Sequence, residues 1–168
     1  MRHTGHRKQS RCTKLLSTKE RVNMNILFFL TPKADLAFIR TDTNVAKALK
    51  IMEQYRYTAV PLIDKEGIYK GVLTEGDMLY NLKNQYNFNL DLARSHSIMD
   101  LDIRRNYEPV RIGATVTDVY KKAMIQNFVP VVDDDGVFIG IVKRRDIIQY
   151  FYDQYIQPEE DHKAASGE

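Results

Sequence analysis

The chain has one cysteine, Cys12, in 168 residues, so no disulfide can close within it and neither a CxxC pair nor a zinc knuckle can form. A reducing cytoplasm is the expected setting. Long apolar runs are missing too. A bilayer span takes roughly 18 or more apolar residues, and the longest candidate, Ile26–Leu30, falls far short, so no membrane partner is expected. The four histidines, His3, His6, His96 and His162, show neither HxxxH nor HExxH spacing, which leaves a metal site without support. General acid–base work needs a titratable group with a partner in reach. His96 is flanked by Ser95 and Ser97, with no Asp or Cys constellation around it. Gly76-Asp77 lacks the lysine of a phosphate-binding loop. The chain is therefore not expected to be an enzyme or to carry a resident cofactor.

A composition of 43% hydrophobic and 28% charged residues fits one soluble domain or a tight tandem of small ones. The net charge of +3 is unevenly placed: residues 1–21 hold seven Lys/Arg and one Glu, leaving 18 cations against 21 anions elsewhere. With a mildly acidic body, a nucleic-acid partner is not expected unless the basic stretch acts as an arm. That stretch (1–23) has no helical period and too few apolar residues to bury a core, so disorder is predicted. It also lacks a signal peptide's apolar region. Met24 opens the first core-like run and is a candidate native start. Residues 158–168, polar and ending in small residues, read as a frayed tail.

Between these ends the sequence repeats itself. Ala59-Val-Pro-Leu-Ile-Asp-Lys-Glu-Gly67 matches Phe128-Val-Pro-Val-Val-Asp-Asp-Asp-Gly136. At a constant offset of 69, Pro61 meets Pro130, Asp64 meets Asp133, Gly71 meets Gly140 and Asp77 meets Asp146. Upstream the offset is 71, pairing Val45 with Val116 and Ile39 with Val110, so the second copy lacks two residues, assigned to its helix-to-strand turn. Each copy has one grammar. A lead-in strand (Leu36–Arg40; Pro109–Ile112) precedes an amphipathic helix with Val45, Ala48, Leu49 and Met52, or Val116, Val119, Tyr120 and Ala123, on one face. Thr43 is the N-cap candidate in the first copy. A strand, a Gly turn, a second strand and a second helix follow, the helix from about Gly76 or Arg145.

The predicted class is α/β (α+β), as two β-α-β-β-α repeats packed with pseudo-two-fold symmetry, at 24–90 and 91–157. One such unit would be marginal alone. Two stacked copies should create grooves where strand ends and helix N-termini converge.

Gly71-Val-Leu-Thr-Glu-Gly-Asp77, with Val60-Pro61, Asp64 and Gly67, matches the closing signature of a CBS motif, and its occurrence in two copies makes the chain resemble a tandem CBS pair, or Bateman module. Phe28–Pro32 and Asn127–Gly140 look like the small stand-alone bacterial CBS proteins, some of whose relatives bind cyclic di-AMP. The resemblance implies that Asp77 accepts hydrogen bonds from adenosine ribose hydroxyls, a role suited to an acceptor-only carboxylate. A carboxylate in a helix's first turn can equally serve as a cap. Thr74 could offer a hydroxyl to a phosphate at the same N-terminus, or simply end its strand. The family places adenine beside Leu36, Ala37, Tyr57, Thr58 and Ala59, which core packing would also explain.

The second copy departs from the pattern. It reads Gly140-Ile-Val-Lys-Arg-Arg-Asp146, with Lys143 where the family has Ser or Thr. Lys143, Arg144 and Arg145 form either a solvated charge run or a phosphate-neutralising set before Asp146, since arginine forks bind phosphate bidentately. The resemblance also implies a homodimer through helices, with Ile147, Ile148 and Phe151 as candidate contacts. The function it implies is a regulatory module that binds an adenine nucleotide (AMP, ADP, ATP or cyclic di-AMP) between its repeats and signals to a protein partner. The alternative is a non-catalytic dimeric scaffold with degenerate grooves.

Overall fold

The computed structural model describes residues 25–104 and 106–156, the side chain of Tyr155 excepted. The tails predicted at 1–23 and 158–168 lie outside the described residues. The first copy runs β2 (Ile39–Arg40), α1 (Val45–Tyr55), β3 (Ala59–Ile63), β4 (Tyr69–Thr74) and α2 (Glu75–Tyr86). The second runs β5 (Val110–Arg111), α4 (Val116–Ala123), β6 (Phe128–Val132), β7 (Phe138–Lys143) and α5 (Arg144–Phe151). This is the expected β-α-β-β-α order, twice. A short α3 (Leu90–Ala93), which has no periodic signal in the sequence, lies on the connection between copies.

The repeated prolines, aspartates and glycines each have a local cause. Pro61 and Pro130 sit one residue before the parallel ladders begin at Leu62–Ile39 and Val131–Val110, where no strand awaits the N–H that proline lacks. Asp64 Oδ1 accepts the N–H groups of Glu66 and Ile68 at 3.1 and 2.8 Å, and Asp133 Oδ1 those of Asp135 and Val137 at 3.0 and 2.8 Å. Each carboxylate thus shapes its hairpin turn. Gly67 and Gly136 take the positive φ that closes it, at 87° and 85°.

Three details correct the sequence reading. Asn44, not Thr43, caps α1, its Oδ1 accepting the Lys47 N–H at 2.9 Å. The residues missing from copy two come from the helix rather than the turn: α4 is 8 residues long and α1 is 11. Ile147 is 1% exposed and belongs to the core, so it cannot serve as a free dimer contact, whereas Ile148 is 60% exposed.

Strand β1 (Leu30–Pro32) lies ahead of β2 in the chain yet pairs antiparallel with β7 of the second copy. The sheets are therefore β2-β3-β4 and β1-β7-β6-β5. Each copy has its own core, the first around Ile39, Val60, Leu73 and Met78, the second around Ile26, Val119, Val129 and Val142. A third cluster, with Ile63, Val72, Tyr107, Phe128, Phe138 and Ile141, draws on both copies and their linker. Burial of this shared cluster holds the copies together.

Candidate functional site

At the edge of the shared core lie two adjoining cavities with Thr58, Ala59 and Asn127 in common. The first, about 220 Å3, is lined by Leu36, Ala37, Tyr57 and Pro61 from copy one and Phe128, Ile141 and Lys143 from copy two, with Arg56 at its side. The second, about 460 Å3, is lined by Thr74, Glu75, Gly76, Asp77 and Tyr80, with Arg104 and Tyr107 from the linker. Neither copy alone could form this groove. Thr58 and Asn127 are repeat mates, and each ties the following motif helix to its strand: the Thr58 carbonyl accepts the Glu75 N–H and the Asn127 carbonyl the Arg144 N–H, both at 3.0 Å.

Asp77 is 5% exposed and forms a reciprocal capping box with Thr74. The Thr74 hydroxyl accepts the Asp77 N–H at 3.0 Å and donates to Asp77 Oδ2 at 2.6 Å, while the Thr74 N–H donates to the same oxygen at 3.0 Å. The Thr74 hydroxyl proton is thereby committed to the carboxylate. Oδ1 accepts the Arg104 N–H at 3.2 Å. The linker is also anchored from its other end, where the Tyr69 hydroxyl donates to the Tyr107 carbonyl at 2.7 Å. Burial pushes the Tyr69 phenol well above its ordinary range.

In the second copy the Thr-to-Lys change removes this arrangement. Lys143 is the N-cap of α5 but makes no side-chain cap. Asp146 Oδ1 instead accepts from Arg145 Nε at 3.3 Å, on an arginine whose side chain is largely exposed. Arg144 Nη2 donates to Asn127 Oδ1 at 2.7 Å, so it touches the groove through that amide.

Of the predicted binding residues, Leu36, Ala37, Tyr57, Thr58, Ala59, Thr74, Asp77 and Lys143 are gathered along one groove, whereas Arg144, Arg145 and Asp146 line neither cavity. Sequence reasoning missed Asn127, which the offset of 69 from Thr58 would have found, Tyr107, which the offset of 71 from Leu36 would have found, and Arg56 and Arg104, which no predicted binding residue marks at either offset. Arg56 and Lys143 make no ion pair among the described residues, whereas Arg104 pairs with Asp102 at 2.9 Å. The apolar cavity is thus edged by two unpaired cations, which favours an anionic occupant. No cluster of three metal-ligating side chains occurs among the described residues, and none of their helices is long and apolar enough to cross a membrane.

Two β-α-β-β-α copies, joined about a pseudo-dyad with a groove at their junction, define a paired-repeat α/β module. Residues 29–84 and 98–153 each match the CBS domain, and the chain belongs to that family. Inosine-5'-monophosphate dehydrogenase of Aquifex aeolicus is 26% identical over 114 residues, 66% of this chain and 21% of that enzyme. The chain thus spans about a fifth of that relative. Among solved structures, CbpB in complex with c-di-AMP is similar with a TM-score of 0.74 at 20% identity, covering 85% of this chain and 94% of that one. CBSX2 in complex with AMP is similar with a TM-score of 0.61 at 25% identity, covering 74% and 93%.

Proposed function

We propose that this CBS pair is a non-catalytic, cytoplasmic regulatory module that binds an adenine nucleotide in the groove between its repeats and signals to a protein partner. The observation that carries the reading is the groove itself. One half is apolar and edged by Arg56 and Lys143, and the other holds the buried carboxylate of Asp77. In this reading the base takes the slot beside Ala37, Tyr57, Thr58 and Ala59. The ribose meets Asp77, and Lys143 and Arg56 neutralise phosphate, with Arg144 acting through Asn127. Thr74 holds Asp77 in place. Arg145 and Asp146 are left to a second, weaker half-site. The nucleotide is a regulatory ligand and no other cofactor is invoked. A ligand that touches both copies transmits a signal when its affinity differs between their relative orientations. The c-di-AMP and AMP named for the similar structures define the ligands to test.

The test is calorimetric titration of the full chain with AMP, ADP, ATP and cyclic di-AMP, with GTP as control. One adenine ligand should bind saturably, and Asp77→Ala should weaken it by at least about tenfold through loss of charge-assisted contacts. Circular dichroism and a denaturation curve establish that the variant is folded. Absence of binding by every adenine ligand would overturn the reading.

Two observations favour a second reading, a dimeric interaction scaffold: Lys143 makes no side-chain cap and Asp146 pairs with Arg145 instead, and Leu79, Tyr80 and Ile148 stand more than half exposed on the helices. Sedimentation at several concentrations, with and without nucleotide, separates the two. A ligand-independent dimer that binds no nucleotide is the scaffold, and a nucleotide-dependent change in assembly or shape is the sensor.

A further inference from the structure

Residues 25–32 come first among the described residues but are built into the second copy. Ile26 is fully buried in that copy's core, with Phe29 and Leu30 packed against it. Phe29 meets the Tyr150 ring edge-on, with centroids 5.2 Å apart, and Asn25 bridges to Thr115. Strand β1 then lies along the outer edge of β7, with Thr31 opposite Ile141 and Pro32 opposite Gly140. This docking is short. It has three residue pairs at a sheet edge, and Leu27 and Phe28 just before them are 44% and 80% exposed. Edge elements with few buried contacts are the ones that open locally, well below the free energy of global unfolding.

Both members of the β1–β7 pair lead to the groove. On one side, β7 carries Ile141 and Lys143, which line the apolar cavity. On the other, only residues 33–38 separate β1 from β2 of the first copy, and Leu36 and Ala37 among them line the same cavity. The connection is not slack. The Leu36 N–H donates to the Lys33 carbonyl at 3.2 Å, and the Lys33 ammonium lies 5.2 Å from the centroid of the Phe38 ring. Leu36 and Phe38 pack against the shared core. Displacement of β1 from β7 is therefore felt at Leu36 and Ala37. Conversely, an occupant in contact with Leu36–Ala37 and with Ile141–Lys143 fixes both members of the pair.

We propose that residues 25–32 form a strap whose docking on β7 is coupled to occupancy of the groove. A bound nucleotide holds the strap down, and a loosened strap weakens nucleotide binding. The two effects go together because the coupling free energy between two sites is the same in either direction. The strap thereby displays the state of the groove at the β1 edge of the second sheet, where its release bares the edge of β7 and the socket of Ile26. The inference rests on the reading of the groove as a nucleotide site.

The experiment is limited chymotrypsin digestion of the full chain, mapped by mass spectrometry, without nucleotide and with AMP or cyclic di-AMP at about ten times its Kd. Cleavage after Phe28 should slow by about threefold or more with the nucleotide that binds. Phe88, 60% exposed and outside both groove cavities, is the internal reference, and cleavage there should change by less than about twofold. If cleavage after Phe28 is unchanged, or slows no more than that after Phe88, the inference falls while the nucleotide site stands. Calorimetry supplies the reciprocal readout. Ile26 lines neither cavity, yet Ile26→Ala should weaken nucleotide binding by about threefold or more. Val45→Ala, in the core of the first copy, should leave the affinity within about twofold of the parent. An Ile26→Ala affinity equal to the parent's overturns the inference. Gly140→Ala, which crowds β1 at Thr31 and Pro32, takes the place of Ile26→Ala if that variant does not fold. If AMP, ADP, ATP and cyclic di-AMP all fail to bind, the nucleotide reading falls and the inference with it.

Discussion

The backbone N–H of Tyr69 donates to the carbonyl of Gly136 at 3.1 Å, across the junction between the copies. Its repeat mate Phe138 donates to the carbonyl of Gly67 at 2.9 Å, and the Tyr69 and Phe138 rings stack with centroids 6.0 Å apart. Equivalent residues thus meet at the pseudo-dyad, and the turn glycine of each repeat anchors the strand that opens the other's second hairpin arm. This junction underlies the groove, because Phe128 and Ile141 belong both to the shared core and to the cavity wall.

Phe138→Ala should therefore weaken both copies together. Phe138 is fully buried, and truncating a buried phenylalanine costs about 3–5 kcal/mol. A urea titration should show a lower midpoint in one cooperative transition. Two separated transitions in the unaltered protein would show that the junction does not couple the repeats.

Gly71 and Gly140 occupy the same repeat position for different reasons. Gly71 has a φ of 135° and no crowding neighbour, so Gly71→Ala should carry a strain penalty of about 1–3 kcal/mol. At Gly140 the conformation is ordinary, but a Cβ would lie 2.3 Å from the Thr31 carbonyl oxygen and 3.1 Å from Pro32 Cα. Gly140→Ala should push β1 off β7 at a cost of about 1–3 kcal/mol. Limited proteolysis distinguishes them, because only Gly140→Ala should open the chain near residues 25–32.

Lys143→Thr should separate stability from binding. A threonine at the N-cap of α5 can form with Asp146 the box that Thr74 forms with Asp77, worth about 1 kcal/mol. The same change removes an unpaired cation from the groove. The expected outcome is a raised melting temperature with weaker nucleotide binding in calorimetry. A gain or loss in both would contradict this division of roles.

Acid should weaken the second copy through Asp118. The Thr115 N–H, followed by its hydroxyl, holds the Asp118 carboxyl below its ordinary range. A carboxyl depressed in the folded state contributes fully above its unfolded-state value, about pH 4, and the contribution is lost as pH falls through the folded value. Asp118→Asn should thus lie below the parent in stability at pH 7, and the gap should narrow towards pH 3. A gap independent of pH in urea titrations would show that the charge is not involved.

Much of this molecule is written locally. The Asp64 and Asp133 turns, the left-handed glycines beyond them, the prolines ahead of the ladders and the apolar faces of α1 and α4 depend on residues within a few positions of one another, so their spacing in the sequence is enough to read them. Where local signals compete, the reading erred: Thr43 and Asn44 are both good caps, and packing of Thr43 into the interior left the role to Asn44. The same holds for Ile147, since a short helix with several apolar residues does not reveal which faces its core. In the groove, the first copy's motif residues were found, whereas Asn127 and Tyr107 were missed although the offsets from Thr58 and Leu36 mark them, and Arg56 and Arg104 have no such mark because what brings them there is the packing of one copy on the other.

The sequence by itself determined the two-fold repetition and the strand and helix order of each copy, because each follows from short-range backbone chemistry and apolar period. Only the tertiary structure decided that β1 crosses to β7, that the cavity walls come from both copies, and that the Arg104 amide rests on Asp77 Oδ1 while Asp146 turns to Arg145. These outcomes depend on burying a shared core and satisfying polar groups between residues far apart in the chain, and no local pattern records which distant groups will meet.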